Sequence, residues 1–79
     1  MDTPILDLHG LKHHEVQNVV TRFLEDHLGK GLFIDVITGN SEHMLFETVK
    51  VIKQYGLEFH TGLPSHQGRV RVVMYDDYH

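Results

Sequence analysis

Two amphipathic helical segments, each ending near a glycine, constrain the fold of this 79-residue chain more than any other feature. Apolar residues recur at intervals of three and four from about His13 to Leu28, and again from about Ser41 to Tyr55. Gly29 and Gly56 follow these segments, as helix-terminating glycines commonly do. Short runs of apolar and alternating residues lie on either side, so the pattern predicts an alternation of strands and helices.

Four strands complete this pattern. We predict them at Pro4 to His9, Leu32 to Thr38, Leu57 to His60 and Arg69 to Tyr75. The order is β-α-β-α-β-β, whose two β-α-β steps give parallel strands joined by right-handed crossovers. Two helices can cover only one face of such a sheet. The sequence therefore predicts an α/β two-layer sandwich with a mixed four-stranded sheet.

Strand alternation divides the side chains between the two faces of the sheet. One face is aliphatic and is expected to pack against the helices. The other face collects the charged and imidazole side chains, namely Asp7, His9, Asp35, Glu58, His60, Arg69 and Arg71. We expect that polar face to carry the function.

Composition narrows the class of protein. The chain lacks cysteine, contains no run of apolar residues long enough to cross a membrane, and does not begin like a secretory signal. We expect a single domain over residues 1–79, soluble and cytoplasmic, with no membrane partner. The net charge of −4 argues against indiscriminate binding to a polyanion, whereas Arg69 and Arg71 form a local basic spot.

Two glycine-containing turns are expected to meet at one edge of the sheet. If the first two strands are neighbours, "DLHG" at 7–10 and "TGNS" at 38–41 lie together at their carboxyl ends. Their glycines allow close approach to a phosphate, and the following helix offers free N–H groups to an anion. The "TGNS" turn is equally well explained as an ordinary helix cap, and the two roles are compatible.

The motif "LDLHG" at Leu6 to Gly10 resembles the signature of the Smr (small MutS-related) domain family. The next helix, the strand "FIDVITG" and the second helix follow in the family's order, so the resemblance covers nearly the whole chain. It implies a fold similar to the C-terminal domain of translation initiation factor three. It also implies an endonuclease acting on RNA or DNA, with RNA favoured, here as a stand-alone minimal member.

The resemblance assigns roles to individual residues. The family's Asp and His fall on Asp7 and His9, which implies a catalytic pair. Its second motif falls on Thr38, Gly39, Asn40 and Ser41, where Ser41 replaces an expected glycine, and its later glycine falls on Gly68. The phosphate-binding residues would be Gly10, Thr38, Gly39, Asn40, Ser41, Arg69 and Arg71.

These residues suggest two routes of cleavage. In the first, His9 acts as base or acid, Asp7 orients it, and Arg69 or Arg71 stabilises charge on the phosphate, without a metal. In the second, a divalent metal is held by Asp7, with His9 or Asp35 nearby. His43 and His60 are candidates for supporting contacts, whereas a metal site at "HHE", residues 13–15, is disfavoured.

A non-catalytic alternative remains open. In it the domain docks on RNA, on a ribosome or on a protein partner, and both the acidic balance and Ser41 favour this reading. The Arg69 and Arg71 side chains are equally suited to phosphate contacts and to ion pairs with Asp35 or Glu58. The sequence leaves the oligomeric state open.

Overall fold

A computed structural model describes residues 3–62 and 68–74. Its elements are β1 (Ile5–Asp7), α1 (His13–His27), β2 (Phe33–Ile37), α2 (Glu42–Gln54), β3 (Phe59–His60) and β4 (Arg69–Val73). The predicted order β-α-β-α-β-β and the mixed four-stranded sheet are confirmed.

The strands lie in the order β1-β2-β4-β3. β1 pairs parallel with β2, with Leu6 opposite Val36, as the first crossover predicts. β4 lies between β2 and β3 and is antiparallel to both. The second crossover therefore does not bring β3 against β2, because β4 occupies that position. The sheet ends in a strand of three residues on one side and a strand of two residues on the other.

All four strands are shorter than predicted. β1 ends at Asp7, so His9 lies in the turn that follows the strand. Leu8 still donates its N–H to the carbonyl of Ile37 at 3.0 Å, which extends the β1–β2 contact by one residue. β4 ends at Val73, and the predicted strand end at Tyr75 lies outside the described residues.

One hydrophobic cluster fills the space between the helices and the sheet. The helices contribute the apolar residues that their spacing predicted, and the sheet contributes its aliphatic face. The buried members are Leu8, Val16, Val20, Leu24, Ile34, Val36, Val51, Ile52, Val70, Val72 and Met74. The predicted two-layer arrangement is thereby confirmed.

No helix among the described residues is long and apolar enough to cross a membrane.

Candidate functional site

The loop 38–41 joins β2 to α2 and lies at the carboxyl end of β2. It turns at Gly39, whose φ of +64° is readily adopted by glycine and costly for other residues. Ser41 is the N-cap of α2, because its Oγ accepts a hydrogen bond from the Met44 N–H at 3.2 Å. Ser41 therefore serves as the helix cap at the position where the family resemblance expected a glycine.

The start of β4 holds this loop in place. The carbonyl oxygen of Gly68 accepts hydrogen bonds from the Thr38 N–H at 2.8 Å and the Gly39 N–H at 3.0 Å. The Thr38 hydroxyl donates to the same oxygen at 3.2 Å. A Cβ atom on Gly68 would lie 2.9 Å from the carbonyl oxygen of Gly39. Glycine at position 68 thus allows the two backbones to make this close contact.

The two predicted turns meet in a cleft of about 350 Å³, which we call the β1 cleft. It is lined by Asp7, His9, Gly10, Ile37, Met44 and the loop 38–41. The pairing of β1 with β2 places both turns at the same end of the sheet, as the sequence predicted. Ile37 and Met44 were not predicted site residues, because they belong to the strand and helix patterns rather than to either motif.

The Asp7 carboxylate is bound to the backbone of His9. Its Oδ1 accepts a hydrogen bond from the His9 N–H at 2.9 Å. This contact fixes the turn that follows β1, and Gly10 then adopts a φ of +87°. Asp7 therefore orients His9 through the main chain, and both side chains are exposed.

Asp35 lies on the predicted polar face, but it is almost fully buried, with 1 % exposure. Arg71 binds it through two hydrogen bonds, Nε to Oδ1 at 2.9 Å and Nη2 to Oδ2 at 3.1 Å. Arg69 Nη1 adds a third at 3.3 Å. Burial alone would raise the pKa of Asp35, but the hydrogen bonds and charges of Arg71 and Arg69 hold that pKa below its usual value.

The two arginines therefore make the ion pairs with Asp35 that the sequence left as one alternative. The guanidinium of Arg71 also lies over the Phe33 ring, 5.3 Å from its centre. Arg71 lines neither the β1 cleft nor the smaller cleft beside the loop 38–41. Arg69 is closer to the site, since it lines a second cleft beside the loop 38–41. This second cleft, of about 140 Å³, we call the β4 cleft.

The two supporting histidines lie in different places. His60 binds Glu58 at 3.2 Å on the exposed end of β3. His43, in the first turn of α2, stacks on His13 at the start of α1, with 4.0 Å between ring centres. This stack was not predicted, because the two residues are 30 positions apart and only the packing of α1 against α2 brings them together.

The metal route depends on Asp7 and His9. Within residues 3–62 and 68–74, no group of three or more His, Cys, Asp or Glu side chains could hold a metal ion. The carboxylate of Asp35 forms ion pairs with Arg69 and Arg71 and is therefore occupied. A divalent metal held by Asp7 and His9 would take its remaining ligands from water and substrate.

Comparison of the chain with known protein families, with curated proteins and with solved structures found no match.

Proposed function

We propose that this protein binds nucleic acid at the β1 cleft and cleaves phosphodiester bonds there, with RNA favoured over DNA. One observation carries the proposal: the turn bearing Asp7 and His9 and the glycine turn at 38–41 line the same cleft. An imidazole able to exchange protons thus lies beside backbone that can approach a phosphate closely. The resemblance of "LDLHG" to the Smr motif supports the same assignment of Asp7 and His9 to phosphodiester cleavage.

Cleavage of RNA needs fewer protein groups than cleavage of DNA, since the 2′-hydroxyl of the RNA is the nucleophile. His9 accepts the proton of that hydroxyl while water protonates the departing 5′-oxygen, or His9 donates a proton to that oxygen while water accepts the proton of the hydroxyl. The 2′-oxygen bonds to phosphorus as the bond from phosphorus to the 5′-oxygen breaks. Apart from the Met44 N–H, which Ser41 caps, the first N–H groups of α2 have no carbonyl partner within the helix and would stabilise the added negative charge. Asp7 holds the main chain of His9, which makes it a positioning residue in the metal-free route.

A divalent metal would change the assignment of Asp7. With Asp7 and His9 as ligands, the ion would activate a water molecule for attack on phosphorus. This route needs no 2′-hydroxyl and would extend the activity to DNA. The proposed setting is the cytoplasm, with RNA, free or on a ribosome, as the substrate.

A non-catalytic docking module is the second candidate. The net charge of −4 and the pairing of both arginines with Asp35 favour it, because they reduce the positive charge available for a polyanion. In this candidate the same cleft binds RNA or a ribosome without cleaving it.

The test is cleavage of labelled single-stranded RNA and duplex DNA, with and without a chelator, by the wild type and by His9→Ala. His14→Ala is the matched control, since His14 is exposed on α1 and lines neither cleft. RNA cleavage that survives the chelator and is lost only in His9→Ala supports the metal-free enzyme. Cleavage that the chelator abolishes supports the metal route, in which Asp7 is a ligand of the ion.

Two results would count against catalysis by His9. Binding of RNA without cleavage would favour the docking module. Loss of cleavage in both histidine variants would show that the loss is not specific to His9, which contradicts its assigned role. If the wild type neither binds nor cleaves nucleic acid, the proposal as a whole is contradicted.

A further inference from the structure

The β4 cleft lies on the other side of the loop 38–41 from the β1 cleft. The two share Thr38, Gly39, Asn40 and Ser41 as a common wall. The remaining lining of the β4 cleft comes from α2, from the end of β3 and from the start of β4, namely Glu42, Leu45, Thr61, Gly62, Gly68 and Arg69. A ligand that enters one cleft therefore has the other directly across this wall.

We propose that the β4 cleft binds the nucleotide next to the reacting phosphate, with Arg69 holding its phosphate group. This inference rests on the proposed function, since it extends the strand bound in the β1 cleft across the loop 38–41. It assigns the site to an oligonucleotide strand rather than to a mononucleotide or a free phosphate.

Arg69 supplies the positive charge of the β4 cleft. Among the described residues its hydrogen bond is to Asp35, through Nη1 alone, which leaves Nε and Nη2 for another acceptor. Its side chain is 25 % exposed, while the carboxylate that anchors it is buried. An anchored guanidinium with remaining donors is well suited to a phosphate oxygen.

Arg71 differs from Arg69 in this respect. It uses both Nε and Nη2 on Asp35 and lines neither cleft. Asp35 thus neutralises Arg71 closely and leaves Arg69 available at the β4 cleft. Arg69 is therefore the arginine that we assign to the ligand.

Glu42 makes the β4 cleft different from a simple anion site. It begins α2 and lines the same cleft, so its carboxylate opposes a second negative group there. A nucleotide satisfies both charges, because its phosphate accepts hydrogen bonds and its sugar hydroxyls and base N–H groups donate them. Inorganic phosphate offers Glu42 only its P–OH groups and brings its full negative charge next to the carboxylate, so it fits this cleft less well than a nucleotide does.

The rigid loop supports a continuous path between the clefts. The carbonyl of Gly68 holds Thr38 and Gly39, and neither Gly39 nor Gly62 places a side chain in the way. A strand that crosses the loop at Gly39 meets backbone alone at that residue. The path leads from His9 on one side to Arg69 on the other.

The experiment measures binding of 2′-O-methyl oligouridylates of one, two, four and six nucleotides, which resist the 2′-hydroxyl route of cleavage. Arg69→Gln and Glu42→Gln change the charge of the β4 cleft in opposite directions. Arg22→Gln and Asp26→Asn make the same charge changes at exposed positions of α1 that line neither cleft. Thermal unfolding of each variant checks that it is folded.

We expect affinity to rise sharply from one nucleotide to four. Arg69→Gln should weaken the longer ligands and lower the slope of log affinity against log salt by about 0.7, the share of one phosphate on a single strand. Glu42→Gln should also weaken them, because a neutral amide accepts hydrogen bonds from the base N–H groups less well than a carboxylate does. Both control variants should keep the wild-type length dependence and shift affinity equally for all ligands.

The inference is overturned if the wild type binds oligonucleotides while the Arg69 and Glu42 variants match their controls. The proposed function would survive that result, with its ligand confined to the β1 cleft. If the wild type binds no oligonucleotide of any length, both fail together. Weaker oligonucleotide binding by Arg69→Gln than by Arg22→Gln, in a protein that does not cleave RNA, would support the inference and contradict the proposed cleavage.

Discussion

At the scale of single residues, Thr48 is a polar residue without a polar partner. It is fully buried between the helices and the sheet, and within the described residues its hydroxyl has no hydrogen bond. An unsatisfied buried hydroxyl costs about 1–3 kcal/mol. We predict that Thr48→Val raises the free energy of unfolding by about 1 kcal/mol, measured by urea denaturation.

Thr38→Val provides the matched control for this prediction. Thr38 is also nearly buried, but its hydroxyl donates to the carbonyl of Gly68. The same substitution should therefore destabilise the protein at position 38. Destabilisation of similar size at both positions would mean that the Thr48 hydroxyl is satisfied in solution.

Gly68 offers a second prediction at this scale. Its φ is +74°, and a Cβ atom would approach the Gly39 carbonyl oxygen to 2.9 Å. Gly31 has a similar φ of +86°, but a Cβ there would meet nothing within 4 Å. We predict that Gly31→Ala costs about 1–2 kcal/mol of unfolding free energy for backbone strain alone. Gly68→Ala should cost clearly more.

Urea denaturation of both glycine variants measures the difference. Gly68→Ala should also weaken oligonucleotide binding, since the loop 38–41 has to move. Equal destabilisation by the two variants would show that the contact between Gly68 and Gly39 relaxes without cost.

At the scale of elements, the stacked rings of His13 and His43 join the first turns of α1 and α2. Aromatic pairs contribute about 0.5–1.5 kcal/mol beyond the area they bury, and exposure places this pair at the lower end. We predict that His13→Ala and His43→Ala are non-additive in unfolding free energy. The double variant should cost less than the sum of the single variants.

A double-mutant cycle measured by urea denaturation gives this coupling. His14→Ala combined with His43→Ala is the control, since the structure stacks His43 on His13. Additive effects in the first cycle would show that the stack does not form in solution.

The ion pairs between β2 and β4 make the stability of the folded protein depend on pH. Because the pKa of Asp35 is lowered in the folded protein, the native state binds its proton only at lower pH than the unfolded state does. The stabilisation is fully present above the unfolded pKa of about 4 and is lost as the pH falls through the lowered value. We predict that Asp35→Asn costs about 2 kcal/mol at pH 7, the contribution of hydrogen bonds to a charged group.

The difference in stability between the wild type and Asp35→Asn should shrink when denaturation is repeated below pH 4. Asp26→Asn, at an exposed position of α1, should change little at either pH. A gap that stays constant on acidification would mean that Asp35 does not titrate as the ion pairs require.

Sequence periodicity predicted the elements because a helix or strand depends on residues close in the chain. It did not predict that β4 lies between β2 and β3, since that arrangement depends on pairing of distant segments. The burial of Asp35 follows from the same arrangement, because its partners are 34 and 36 residues away. The β1 cleft was predictable from two motifs, whereas the β4 cleft required the position of β4.

At the scale of the whole molecule, α1, β2, α2, β4 and the residue after β1 all contribute to one buried cluster. A chain with one shared core is expected to unfold in a single cooperative transition. We predict that far-ultraviolet circular dichroism and tyrosine fluorescence give the same midpoint in urea. Separate midpoints would contradict the expectation of a single domain over residues 1–79.

The shortness of the two outer strands limits how copies of this chain can associate. An exposed sheet edge is a template for aggregation only where it offers a long row of unpaired N–H and C=O groups. β1 offers three residues and β3 only two, too few to hold an incoming strand in register. Within residues 3–62 and 68–74, these two edges therefore give little support to growth of a fibrillar sheet shared between crowded copies.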